Sequence, residues 1–300
     1  CTLHPATCNM QHATCTTDSG PRTKNKTMSL RSTLLLGTLI ASAMYDVAKA
    51  QQFPEAIEDN SFFIEEAYNQ EERVVQHISN AIYTMNPNHE FVFSFTQEWP
   101  VTTETHQLSY TLSFLSLNSN LDRGIGDIVL NYRYQLSTKA SWAVIAPRMS
   151  LIFPTGDRDK ALGNGVFGIQ CDIPLSKRIS DDFIVHANAG GTILPAVKGL
   201  TVAGGEVQRT LISLSLGLSA IWLAERYDNF LLESIYTIES SIDGNGEVQH
   251  DRAILLDPAY RHAINIGGLE IVPGIGFPVT ISRASTDVGL FFYLSFEDPY

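Results

Sequence analysis

Charged and amide side chains recur at alternate positions inside otherwise apolar stretches of this 300-residue chain. Glu98, Arg133, Arg148, Gln170, Asp172, His186, Asn188, Glu233 and Arg261 all sit in this way. Groups of this kind can pair with one another, hold an ion, or present a charged lining to polar solutes. Antiparallel pairing about a turn near Lys139 would set Arg133 beside Arg148. Two adjacent guanidinium groups need acidic neighbours or a bound anion, and Asp172, one strand further on, is a natural partner. A selective lining and a salt-bridged filling of a narrow interior explain these residues about equally well.

Other residues offer less. His77 and Ser79 lie two apart on one strand face, a spacing used by outer-membrane lipid hydrolases, but no carboxylate nearby is placed to orient the histidine. Ordinary strand residues are the better reading. Asp181-Asp182 and Gly156-Asp157-Arg158-Asp159 do not have the spacing of a calcium loop and read as solvated turns. Gly124-Ile125-Gly126 enters a strand rather than opening a helix, so it is no phosphate cradle. No catalytic residue, metal site or cofactor is assigned.

The elements that must position the nine polar residues are strands. In Gln107-Leu108-Ser109-Tyr110-Thr111-Leu112-Ser113-Phe114, every second side chain is large and apolar. Ile128-Val129-Leu130-Asn131-Tyr132-Arg133-Tyr134-Gln135-Leu136 repeats the pattern. Successive side chains of a strand point to opposite faces, so one face is apolar and the other polar. Twelve such stretches are expected at about 72–86, 90–100, 106–117, 125–137, 142–154, 165–176, 182–194, 208–225, 227–240, 251–266, 269–282 and 287–297. With both termini in the periplasm, the gaps after even strands are short. Three gaps after odd strands are long: 155–164, 195–207 and 241–250. This asymmetry is that of a transmembrane antiparallel β-barrel, not of a soluble sandwich.

Phase assigns the faces. Phe167, Ile169, Cys171, Ile173 and Leu175 share one face, and Ile212, Leu214, Leu216, Leu218 and Trp222 another. On the last strand Val288, Leu290, Phe292, Leu294 and Phe296 face lipid, and an aromatic-rich final strand resembles the signal read by the barrel assembly machinery. Trp99, Tyr134, Trp142, Trp222 and Tyr227 fall near strand ends, where an aromatic girdle belongs. Pro147, Pro258, Pro273 and Pro278 fall inside strands. Bulges or kinks are expected there, with a lateral opening for apolar solutes as the sharper alternative.

The ends of the chain carry a different signal. Met28 and Arg31, an apolar run from Thr33 to Met44, and Ala48-Lys49-Ala50 together read as a secretory signal over 28–50. Residues 1–27 then lie upstream of the expected translation start, and only Cys171 of the four cysteines remains beyond it. Residues 51–71 form an N-terminal periplasmic segment. A short helix is expected there, capped by Asp59 or Asn60, and it reads equally as a plug of the mouth or as a tether. Residues 72–300 form the barrel. The formal net charge is −12, which argues against nucleic acid as a partner.

Four motifs stand in order. Asp59-Asn60-Ser61-Phe62-Phe63-Ile64-Glu65-Glu66-Ala67-Tyr68-Asn69-Gln70 precedes Val74-Val75-Gln76-His77-Ile78. Gly124-Ile125-Gly126-Asp127 leads to Tyr132 and Tyr134. Pro154-Thr155-Gly156-Asp157 is followed by Gly163 and Gly165, and Val272-Pro273-Gly274-Ile275-Gly276-Phe277-Pro278 closes the set. Together they resemble the bacterial outer-membrane family named for the MetA pathway of phenol degradation. The resemblance implies a barrel with a transport role and carries over no catalytic residue. The expected function is passive passage of small solutes, hydrophobic or aromatic ones among them, through the outer membrane of a Gram-negative cell, with outer-membrane lipid around the barrel. A lipid-modifying hydrolase or a purely structural barrel is the alternative.

Overall fold

The computed structural model describes residues 61–85, 89–117, 122–137, 141–266 and 269–299. The signal over 28–50, the upstream residues and the caps Asp59 and Asn60 lie outside the described residues.

Twelve antiparallel strands follow one another in a single closed sheet, four of them interrupted once. They are β1 (Val74–Thr84), β2 (Glu90–Val101), β3 (Thr103–Leu117), β4 (Asp122–Ile125 and Ile128–Tyr134) and β5 (Val144–Ile145 and Arg148–Phe153). Next come β6 (Gly168–Arg178), β7 (Phe183–Leu200), β8 (Glu206–Glu225) and β9 (Asp228–Ile242). The last are β10 (Val248–His262 and Ile264–Ile266), β11 (Leu269–Gly276 and Val279–Ser282) and β12 (Thr286–Pro299). β1 closes the cylinder against β12 in unbroken register from Val74↔Pro299 to Thr84↔Gly289. Closure removes the free edges that would otherwise invite aggregation.

The faces are inverted relative to a soluble protein. Ile169, Leu214 and Phe292 point outward and are 49%, 51% and 50% exposed. Arg261, Glu233, Asp257, Ser150 and Ser219 point inward and are fully buried. An outward apolar band around a polar interior is stable only when hydrocarbon surrounds it. No described helix is long and apolar enough to cross a membrane; the crossing is made by strands.

Aromatic residues gather at the end of the cylinder where β1 starts and β12 finishes. Trp222 stacks on Phe230 (centroids 5.7 Å apart), Trp99 meets Tyr110 edge-on (5.9 Å), and the Lys177 ammonium lies 3.7 Å from the Trp142 ring centroid. Such rings suit the boundary between hydrocarbon and headgroup.

Two of the three long loops expected from sequence are instead extended hairpins. β7 and β8 continue to a turn over 201–205, and β9 and β10 to one over 243–247. Pro195 hides the continuity in the sequence. Arg209 pairs with Val197 and Leu211 with Leu194, so Pro195 and Ala196 together oppose Thr210 in a bulge, and Ala196 adopts a positive φ of 54°. A bulge is where a strand tolerates proline. The tips touch, with Val202 N–H donating to Gly244 O at 2.8 Å. In the second turn Asp243 accepts from the backbone N–H groups of Glu247 (2.8 Å) and Asn245 (2.9 Å), and the Glu247 bond above all holds its carboxyl below the usual range.

Of the other prolines, Pro147 and Pro278 interrupt strands without opening the wall, whereas Pro258 and Pro273 keep the register with Leu232 and Leu294 and cause no bulge. β5 breaks at Ala146-Pro147, where Ala146 N–H reaches Pro174 O and Tyr134 N–H reaches Pro147 O. β11 breaks at Phe277-Pro278, where Gly289 N–H reaches Pro278 O (2.8 Å) and Phe277 N–H reaches Pro258 O (3.2 Å). Main-chain bonds therefore bridge both breaks.

Candidate functional site

Residues 61–70 lie inside the barrel and are buried apart from the half-buried Tyr68. The expected helix is not formed by the described part of this segment. The physical reason is visible in its donors. The N–H groups of Phe62, Phe63 and Ile64 go to the Glu233 carboxylate on β9 at 3.1, 3.1 and 3.0 Å. The wall thus satisfies the backbone groups that a helix would satisfy internally. Further along, Ala67 N–H donates to Ser176 Oγ (2.7 Å), Asn69 N–H to Gln135 Oε1 (2.9 Å) and Gln70 N–H to Gln107 Oε1 (2.7 Å). These partners run from β9 to β6, the residue just after β4, and β3, so the segment crosses the lumen from wall to wall.

Apolar packing holds its first half. Phe62 lies against Phe291 and Tyr293 of β12, with ring centroids 5.1 and 5.0 Å apart, and Phe63 against Phe291 at 4.7 Å. Each such aromatic pair adds about 1 kcal/mol beyond its buried area. The wall makes room with glycine. A methyl at Gly274 would run into the Phe62 ring, and one at Gly217 into the Ile64 side chain.

Charge holds the second half. Arg133 donates through Nε to Asn69 Oδ1 (2.9 Å) and through its terminal nitrogens to the carbonyls of Glu66 (3.2 Å) and Tyr68 (2.5 Å). Its Nη2 stands 3.8 Å from Glu98 Oε2. Arg148 Nε pairs with Glu65 Oε2 at 3.0 Å, and Nη1 donates to Asn131 Oδ1 (2.9 Å), Gln170 Oε1 (3.3 Å) and Ser150 Oγ.

All nine residues singled out in the sequence face the lumen. Arg133 and Arg148 are direct cross-strand neighbours, and Arg148 stands opposite Asp172. The direct ion pairs are with Glu65 of the crossing segment for Arg148 and with Glu98 for Arg133, while Asp172 attracts Arg148 through its nearby charge. Asp172 itself accepts from Asn188 Nδ2 (2.8 Å). His186 shares a 2.6 Å hydrogen bond with Ser176. Arg261 faces Asn229 across the β9–β10 ladder, within 3.3 Å when the amide oxygen is turned toward it. Glu98 also accepts from Gln107 (2.6 Å). Sequence reasoning passed over Glu65, Gln107, Gln135 and Ser176. The last three carry the alternation signal on the polar face, whereas Glu65 carries none, because its partner lies 83 residues away.

One aspartate organises the other end. Asp127, between the two halves of β4, accepts from Gly156 N–H (3.0 Å), Asn164 N–H (2.8 Å) and Asn164 Nδ2 (2.9 Å). Thr155 Oγ1 accepts from Ile128 N–H (2.9 Å) and donates to Gly126 O (3.0 Å). The Gly-x-Gly-Asp and Pro-Thr-Gly-Asp motifs are therefore two halves of one clasp. Added methyls at Gly156 and Gly163 would meet Leu162 and Asp127. The clasp ties down the loop after β5, whose single 3-10 turn (Arg158–Lys160) is capped by Asp157. Lys160, 3.2 Å away, lowers the pKa of that exposed carboxyl. Leu162 is thereby packed on Leu115 and Leu117. Asp127→Ala is expected to remove three hydrogen bonds, at about 1 kcal/mol each. Limited proteolysis between 155 and 165 should accelerate while the barrel stays heat-resistant on gels.

Beneath this loop lies a cavity of about 170 Å³. Leu115, Leu162 and Leu194 supply apolar walls; Asn131, Arg148 and Gln170 supply polar groups.

The His77–Ser79 pair faces outward, and His77 stacks on Phe296 at 4.5 Å. Its ring meets Phe95 on the other side (6.1 Å), and Gln97, opposite it on β2, accepts from Tyr110 Oη at 2.7 Å.

No family model matches the chain, and no curated protein does. It is similar in structure to the COG4313 outer membrane channel from Pseudomonas putida F1, with a TM-score of 0.58 and 12% identity over 85% of this chain and 100% of that one. It is also similar to the NanC porin, with a TM-score of 0.51 and 10% identity over 73% of this chain and 98% of the other. At such identities the likeness establishes the architecture alone. With its apolar belt, closed sheet and polar interior, the chain is an outer-membrane β-barrel crossed inside by its own N-terminal segment.

Proposed function

We propose that this barrel is a channel for small solutes, and that segment 61–70 sets how far it conducts. The observation that carries this reading is the lumen itself. A barrel serving only as a wall needs no cross-strand arginine pair, yet here Arg133 and Arg148 face inward and grip segment 61–70. Glu98, Arg133, Arg148, Gln170, Asp172, His186, Asn188, Glu233 and Arg261 form the lining, with charge tuning selectivity. The similarity to outer-membrane channels supports the same reading, as does the motif resemblance to the family named for the MetA pathway of phenol degradation. The cavity admits a solute of about one aromatic ring, since an apolar cavity of about 150 Å³ holds benzene. We place both termini in the periplasm, on the short turns at that end, and assign the aromatic-rich β12 to recognition by the assembly machinery.

Excision of residues 61–70 tests the proposal. In planar bilayers the shortened chain is expected to conduct several times more than the full chain. Equal, negligible conductance from both would reduce the protein to a structural barrel.

A further inference from the structure

We propose that the cavity beneath the 155–164 loop is a binding site for a small carboxylate with an apolar body, and that filling it loosens segment 61–70. The inference rests on the channel reading and adds to it a ligand class and a means of control.

Arg148 stands between two compartments. Its Nε faces Glu65 of the crossing segment at 3.0 Å. Its Nη1 faces the other way, toward Asn131 and Gln170, both of which line the cavity. Glu65 does not line it. The guanidinium that secures the segment is thus also the cation on the cavity's polar side. Leu115, Leu162 and Leu194 complete the walls with hydrocarbon. A ligand that satisfies both surfaces has an apolar body of about one ring and a carboxylate directed at Arg148. Its orientation is set by charge, because Arg148 is the one cation among the described residues of the lining, while the acidic side chains Asp127 and Glu239 lie elsewhere on it.

Guanidinium and carboxylate pair best through two parallel bonds in a fork. A ligand carboxylate drawn to Arg148 competes with Glu65 for that geometry. Losing Arg148 leaves Glu65 nearly buried without its cation, a costly state. The state with the segment loosened therefore binds the carboxylate more tightly, and ligand shifts the population toward it.

Benzoate is the probe, with benzyl alcohol as the uncharged ring of similar size. In hydrogen–deuterium exchange on the full chain in nanodiscs, millimolar benzoate is expected to speed exchange across 61–70 by about tenfold, and benzyl alcohol to leave it unchanged. In Glu65→Gln, exchange is fast at the outset and benzoate adds nothing. The proposal is overturned if benzoate is without effect on the full chain, if benzyl alcohol acts equally, or if benzoate still accelerates exchange in Glu65→Gln. Failure here, alongside high conductance after excision of 61–70, would remove the ligand and keep the channel.

Discussion

Glu233→Ala is expected to release the first half of the lumen segment. One carboxylate accepts three consecutive backbone N–H groups there, all buried, and alanine leaves every one without a partner. Each orphaned donor costs about 1–3 kcal/mol. The combined loss, about 3 kcal/mol or more, is as large as what the three ring contacts of Phe62 and Phe63 contribute beyond their buried area. Exchange of the 62–64 amides should rise by at least two orders of magnitude, and bilayer conductance should rise with it. Glu233→Gln separates hydrogen bonding from shape: its carbonyl oxygen still serves Phe63 and Ile64, while its amide nitrogen cannot accept from Phe62. An intermediate exchange rate is expected for it. Unchanged protection in Glu233→Ala would mean that the aromatic seat alone holds the segment.

Arg133→Lys is the second large effect, although it conserves charge. Arg133 serves Asn69, Glu66 and Tyr68 from three nitrogens of one planar group, while a lysine brings one nitrogen to a point. At least two acceptors on the segment lose their donor, costing about 2 kcal/mol or more. The Glu98 interaction at 3.8 Å is the weaker loss, since it is already long. The measurable result is faster exchange over 66–70 with 62–64 still protected, the complement of Glu233→Ala. If both variants loosen the whole segment together, it opens as one cooperative unit.

The barrel was legible because its signal is local. Alternation fixes the face of every residue, so the phase that put Leu214 and Phe292 in lipid also put Glu233 and Arg261 in the lumen. All twelve strands could be placed in that way, and the Arg133–Arg148 neighbourhood followed from a single turn. The path of residues 61–70 was not legible. A segment without periodicity takes its conformation from partners, and those of Phe62 lie about 170 residues away on β9 and further still on β12. Strand extent failed at Pro195 for a related reason, since a bulge absorbs a residue that reads locally as a stop. The Asp127 clasp joins two motifs that each looked like an isolated turn.

The seat of Phe62 has a consequence for assembly. It is built from Phe291 and Tyr293 on the final strand, yet Phe62 belongs to the first described stretch of the chain. A residue made before any strand of the barrel must therefore wait for the final strand. Until β12 arrives and the seam with β1 is sewn, the segment has only part of its berth, and its ordering belongs to the last stage of folding.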